Sequence, residues 1–209
     1  GGGDGSLLAS VDVAPSPLLA LWDWRRGQLV ASAYVGRQRV LSLAFNPASG
    51  ALVSCARRQL RFWSCEQGRL RSRRALFGEG AAHTVLCVAF SPSGRTMLCG
   101  TAAGCLLHWA GGRCVQALQA NRQRPLFALH VGPEGVLAAG KGGRLLWWPP
   151  HCDPDAAPLR LTDARCLDLT AMLATATDAN GRALAFLRGA APCVRALAAR
   201  DGALAFVTR

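Results

Sequence analysis

The chain predicts an all-β fold, an incomplete β-propeller of about four to five blades, and three observations carry that prediction. Tryptophans return at blade-like intervals, Trp22, Trp63, Trp109 and Trp147, each closing a short apolar run. A second phrase recurs ahead of them: Val40-Leu-Ser-Leu-Ala-Phe45-Asn-Pro47, Val85-Leu-Cys-Val-Ala-Phe90-Ser-Pro92 and Leu126-Phe-Ala-Leu-His-Val131-Gly-Pro133, spaced 45 and 41 residues apart. The apolar runs are four to six residues long, bounded by Gly, Pro, Ser or Asn, and lack the i, i+3, i+4, i+7 spacing of a helix. A unit of about 40 residues made of short strands cannot bury both of its faces, so neighbouring units must stack.

Taken in order, Leu7 to Val11 and Leu18 to Trp22 read as the second and third strands of a blade without its first, with Gln28 to Ser32 as its outer strand. The second blade runs from Val40 through Ala51 to Cys55 and Gln59 to Trp63, with Ala75 to Phe77 near its outer edge. The third is Val85 to Phe90, Thr96 to Cys99, Cys105 to Trp109 and Arg113 to Leu118. The fourth is Leu126 to Val131, Val136 to Ala139, Arg144 to Trp148 and Leu159 to Leu161. Residues 1–148 therefore read as consecutive blades of the WD40 type, the first partial, with Trp22, Trp63, Trp109, Trp147, Phe45 and Phe90 as structural core residues. The proline-rich, then alanine-rich stretch 149–192 reads as a divergent linker or insertion, and 193–209 as the truncated start of a further blade. Such a segment cannot close a ring, and the expectation is that it is marginal and association-prone by itself.

A chain of 209 residues with 51% apolar residues can bury a substantial core, and none of its apolar stretches is long enough to cross a bilayer as a helix. Its nine cysteines form no Cys-x-x-Cys pair and mostly fall inside strand-like runs, so they read as buried apolar fillers in a reducing compartment, the cytosol first. Four histidines stand far apart, and neither a metal nor a cofactor is expected. The net charge is +12, with Lys141 the only lysine among 24 basic residues. Arginine pairs bidentately with carboxylate and phosphate, so an acidic partner follows, while base-composition bias in the coding sequence accounts equally well for the excess.

No catalytic constellation stands out. Gly135-Val-Leu-Ala-Ala-Gly140-Lys141-Gly142 matches a phosphate-binding loop up to its last position, but Gly replaces Ser or Thr and a strand-like run follows where a helix is needed. Ser91-Pro-Ser93-Gly94 reads as a turn, and the twelve acidic residues include no pair placed for acid–base work. Binding should then use arginines on loops and blade rims: Arg25 and Arg26, Arg37 and Arg39, Arg57 and Arg58 in the hairpin of blade two, Arg69, Arg71, Arg73 and Arg74 on its outer segment, and Arg122 and Arg124.

Leu21-Trp22-Asp23-Trp24, Leu52-Val53-Ser54-Cys55 followed by Leu60-Arg61-Phe62-Trp63, the segment closing on Leu76-Phe77-Gly78, Val85-Leu-Cys-Val-Ala-Phe90-Ser91 and Pro125-Leu-Phe-Ala-Leu129 occur here in one order. Together they resemble the first propeller of the echinoderm microtubule-associated protein-like family. The similarity is near-continuous from about residue 7 to 148 and resumes over 193–207. The resemblance implies a non-catalytic propeller that binds tubulin and microtubules in the cytoplasm, on the cytoskeleton. The arginines named above would meet the acidic face of tubulin, with a general WD40 protein-interaction scaffold as the alternative, nucleic acid a distant third and no membrane role. The sequence departs from the family at its turns: Lys141-Gly142-Gly143 stands where Asp usually precedes Gly, and Trp63, Trp109 and Trp147 are not followed by Asp.

Overall fold

The computed structural model describes residues 5–77, 83–169, 194–200 and 203–208, the last two stretches as backbone strands. Blade one is a three-stranded antiparallel sheet of β1 (Leu7–Val11), β2 (Leu18–Asp23) and β3 (Gln28–Tyr34). Blades two to four each have four strands in sequence order: β4 (Val40–Phe45), β5 (Leu52–Ala56), β6 (Gln59–Glu66) and β7 (Arg69–Arg74); β8 (Val85–Phe90), β9 (Thr96–Thr101), β10 (Cys105–Ala110) and β11 (Arg113–Gln119); β12 (Leu126–Gly132), β13 (Gly135–Gly140), β14 (Arg144–Trp148) and β15 (Arg165–Asp168). A further hairpin pairs β16 (Val194–Arg200) with β17 (Ala203–Thr208).

The blades repeat down to single residues. Every first strand carries a register shift at its start, between Val40 and Ser42, Val85 and Cys87, Leu126 and Ala128, and Val194 and Ala196. A bulge bends a strand and sharpens its twist, which suits a strand that must curve around an axis. These bulged strands lie side by side, β4 against β8, β8 against β12 and β12 against β16, so they form the inner wall. In blade one, β3 neighbours the outer strand β7, so β1 occupies a second-strand position and no described strand fills the inner place. The second strands of blades two to four are covered on both faces by flanking sheets, and β5, β9 and β13 are buried at every residue, which accounts for their small and apolar sequences LVSCA, TMLCGT and GVLAAG. The core accordingly lies between sheets. Leu19, Val35, Leu52 and Trp63 join blades one and two; Val53, Leu60, Val85, Met97 and Trp109 join two and three; Leu98, Leu106, Leu126, Val136 and Trp148 join three and four.

Indole N–H groups pin the sheets. Trp63 Nε1 donates to Ser54 Oγ at 2.8 Å inside the core, and Trp22 Nε1 donates to Ser10 Oγ at 2.9 Å. Trp22 faces Leu8, Trp63 faces Leu52, Trp109 faces Met97 and Trp147 faces Leu137, so the four indoles hold one register and the acceptor stands two residues beyond the facing residue. That position is Ser10, Ser54, Cys99 and Ala139 in turn. Trp109 Nε1, opposite a thiol instead of a hydroxyl, is buried without a partner, whereas Trp147 Nε1 turns to the Glu134 carbonyl at 2.8 Å.

Two outer strands differ from the sequence expectation. In blade two the outer strand is the arginine run Arg69–Arg74, and Ala75 to Phe77 continue beyond it, Leu76 making a parallel bridge to Arg113. An edge strand facing solvent needs no apolar alternation, and charge on it discourages pairing with other chains. In blade four the outer strand is Arg165–Asp168, while Leu159 drops into the core beneath Trp148, whose Nε1 donates to the Arg160 carbonyl at 2.7 Å. Of the stretch read as a linker, 170–192 lies outside the described residues.

Candidate interaction surface

In each four-stranded blade the hairpin between second and third strands shares one end of the sheet with the connector from the preceding blade, and the other two turns share the opposite end. The arginines singled out in the sequence divide between these ends. Arg37 and Arg39 lie on the connector into blade two, Arg74 ends β7 beside it, and Arg122 and Arg124 lie on the connector into blade four, all exposed. Arg25 and Arg26 sit on the opposite turn of blade one, where Arg25 lies over the Trp24 ring at 5.8 Å and Arg26 reaches Asp23 at 3.7 Å.

Arg71 and Arg73 line a groove of about 450 Å³ between blades two and three, floored by Phe62, Phe90 and Trp109. Arg73 stacks over Phe62 at 4.7 Å and packs against Gly112, where an added Cβ would meet its Nη2 at 2.7 Å. Arg71 pairs with Glu66 at 3.8 Å, both exposed, so that pair contributes little. The sequence reading brought Arg71, Arg73 and Arg74 together as one cluster, and the structure divides it, sending the first two into the groove and Arg74 to the connector end.

At the connector end of blade two, Arg37 and Arg74 share a second cavity of about 450 Å³ with Arg58 and Arg61. Arg61 was hidden from sequence reasoning because it interrupts an apolar strand that reads as core. The signal available was Ser72 and Arg74 two residues apart on the next strand: Arg61 stands directly opposite Arg74 and its Nη1 donates to Ser72 Oγ at 3.1 Å.

A second polar cluster was also missed. The connector after blade four folds back on blade three through Asp155, whose carboxylate accepts hydrogen bonds from Ser93 Oγ and, at 2.6 Å, from Thr96 Oγ1. Desolvation works to raise that carboxyl, but the hydroxyls of Ser93, Thr96 and Ser91 and the charge of Arg95 together hold it below the usual carboxylate range. His108, buried on β10 beside this connector, is pushed down by desolvation against the opposing pull of Asp155 and the Pro154 backbone. These contacts tie the connector after blade four to blade three as a strap.

Burial pushes the thiols of Cys55, Cys87 and Cys99 up, Cys87 to about 12, so they are protonated fillers at neutral pH. Among the described residues no group of His, Cys, Asp and Glu could hold a metal ion, and no helix is long and apolar enough to cross a membrane.

The family model "WD domain, G-beta repeat" matches residues 74–109, the stretch from the end of β7 through Trp109. Echinoderm microtubule-associated protein-like 1 of Rattus norvegicus is 33% identical over 150 residues, covering 69% of this chain and 18% of that protein. Echinoderm microtubule-associated protein-like 2 of Mus musculus is 33% identical over 151 residues, covering 68% of this chain and 23% of that protein, and the Homo sapiens protein-like 1 is 31% identical over 150 residues. The chain thus spans about a fifth of the length of these relatives. With its bulged inner strands, its Ser–Trp pins and this similarity over two thirds of its length, the chain is a WD40 propeller region of the echinoderm microtubule-associated protein-like type.

Proposed function

We propose that this region is a non-catalytic interaction module that binds tubulin or the microtubule lattice in the cytoplasm through arginines displayed on its connectors and blade rims. The observation that carries the reading is the gathering of Arg37, Arg39, Arg74, Arg122 and Arg124 on one end of the propeller, solvent-facing and without a salt bridge among the described residues. Guanidinium groups so placed favour carboxylate-rich surfaces by charge-assisted hydrogen bonds, and the relatives are named as microtubule-associated.

Co-sedimentation with microtubules across a salt series tests it. Binding should weaken as salt rises, because contacts between exposed charges are screened over about 8 Å at physiological ionic strength. Reversing Arg37, Arg39 and Arg74 to glutamate should weaken it at every salt concentration. Unchanged sedimentation of that variant at low salt would remove these arginines from the interface, and preferential binding to RNA at matched charge would replace the proposal.

A further inference from the structure

We infer that the cavity at the connector end of blade two, walled by Arg37, Arg58, Arg61 and Arg74, is a binding site for adjacent carboxylates of an acidic peptide. It deepens the function proposed above by giving a place and a ligand class, and rests on that reading only for where the peptide comes from. Three independent features point to an anion. The cavity of about 450 Å³ is lined by four arginines and, among the described residues, by no Asp or Glu. Arg61 and Arg74 stand directly opposite one another across β6 and β7, an arrangement of like charges that is unfavourable until an anion lies between them.

The third feature is the hairpin between β5 and β6. Blades three and four make the equivalent turn with glycines at positive φ, Gly104 at 81° and Gly142 and Gly143 at 98° and 70°. Blade two instead holds Arg58 at a φ of 54°, a conformation that costs an L-residue energy and that Gly or Asn would take more readily. Among the described residues Gln67, Arg122 and Gln123 also hold positive φ, but of the four only Arg58 lines this cavity, and strain kept by a charged residue lining a cavity is the pattern of a site.

The geometry selects peptide carboxylates over a nucleic acid. Arg61 is already immobilised: Gln59, its amide oriented by the hydrogen-bond pattern, accepts from Nε and Nη2 at 2.8 and 3.0 Å, and Ser72 Oγ holds Nη1. It is therefore a fixed positive wall, leaving Arg37, Arg58 and Arg74, all exposed, as the adaptable forks for planar carboxylates. A strand of nucleic acid wants successive stacking platforms along a groove, and among the described residues Phe77 is the one aromatic ring lining this short cavity.

The test is fluorescence anisotropy of a labelled glutamate-rich peptide with the whole chain, against the same peptide with glutamine in place of glutamate. Salt-sensitive binding of the glutamate peptide alone is expected. Arg58→Gly should loosen it about tenfold, the loss of one charge-assisted contact, while raising the melting temperature because the turn strain is relieved. Arg74→Gln should loosen it to a similar degree, and Arg165→Glu, at the exposed start of β15 in blade four, should leave it unchanged. Absence of binding at low salt, equal loss in Arg165→Glu, or an RNA of equal charge displacing the peptide from the same arginines would each overturn the assignment. Peptide binding that survives while microtubule co-sedimentation fails would keep this site and remove the tubulin reading; the reverse pattern would remove the site alone.

Discussion

Replacing Cys99 by serine should stabilise this protein, an unusual expectation for a polar substitution at a fully buried position. Cys99 stands where Ser54 stands one blade earlier, and the difference between the two sites is visible in the indoles they face: Trp63 donates to Ser54 at 2.8 Å, while Trp109 Nε1 is buried with no acceptor. An unpaired buried donor costs about 1–3 kcal/mol, and the hydrogen bond that replaces it contributes about 1 kcal/mol net. Exchanging a thiol for a smaller, more polar hydroxyl gives back about 1–2 kcal/mol in lost packing and desolvation. The balance is a gain of about 1 kcal/mol, or about 2–4 °C in melting temperature for a chain of this size. A double-mutant cycle with Trp109→Phe isolates the bond: phenylalanine should cost about 1 kcal/mol more in the serine background than in the native one. Serine that destabilises the chain, or a cycle with coupling indistinguishable from zero, would show that the vacant acceptor is not what limits this blade. The mirror experiment, Ser54→Ala, should lose about 1–2 kcal/mol by orphaning the Trp63 indole.

Trp63→Ala should cost about 3–5 kcal/mol by denaturant unfolding, because it empties a large site between blades one and two and removes the pin to Ser54 together. Gly140→Ala should destabilise by about 1–3 kcal/mol, since an added Cβ at the end of β13 would fall 2.0 Å from the Pro125 carbonyl oxygen, a backbone atom with little room to yield. The strap after blade four should loosen in acid in two stages. The lowered His108 favours the neutral ring in the fold, so stability declines as pH falls below its unfolded value of 6.5; the lowered Asp155 favours the carboxylate, so its contribution is present above about 3.8 and is lost as pH falls through the still lower folded value. Hydrogen exchange of residues 150–164 against pH reads both stages, and Asp155→Asn should abolish the lower one while leaving the upper.

How much of this was legible in the sequence follows from which interactions repeat. Blade register was legible because a large apolar ring and a Pro–Gly turn must return whenever one thin sheet is stacked on the next, and the tryptophans at 22, 63, 109 and 147 do face equivalent residues. Depth was less legible: Trp22 and Trp147 hold the register yet are only half-buried, and the fully buried indole of blade four is the adjacent Trp148. The outer strands of blades one and three were legible, but those of blades two and four less so, because an edge strand such as Arg69–Arg74 is held by its backbone ladder to β6 whatever its side chains are and carries no apolar run to mark it.

The arginine cavity was illegible for a different reason. Its four members come from a connector, a hairpin, the third strand and the fourth, and what unites them is the pairing of Arg61 with Arg74 and the left-handed turn at Arg58, neither of which leaves a spacing in the chain. The structural repeat nevertheless makes the site conspicuous. Once blades three and four show that glycine serves this turn, and blade one shows that a longer loop also serves it, the arginine at position 58 is a departure that folding does not require. In a repeat architecture the residues that obey the period report on stacking between neighbours, and those that break it at a cost report on what one blade does and the others do not. Cys99 and Arg58 are both departures of that kind. The first leaves a donor unpaired inside the core, where no partner can reach it, and the second carries its charge to an open cavity, where one can.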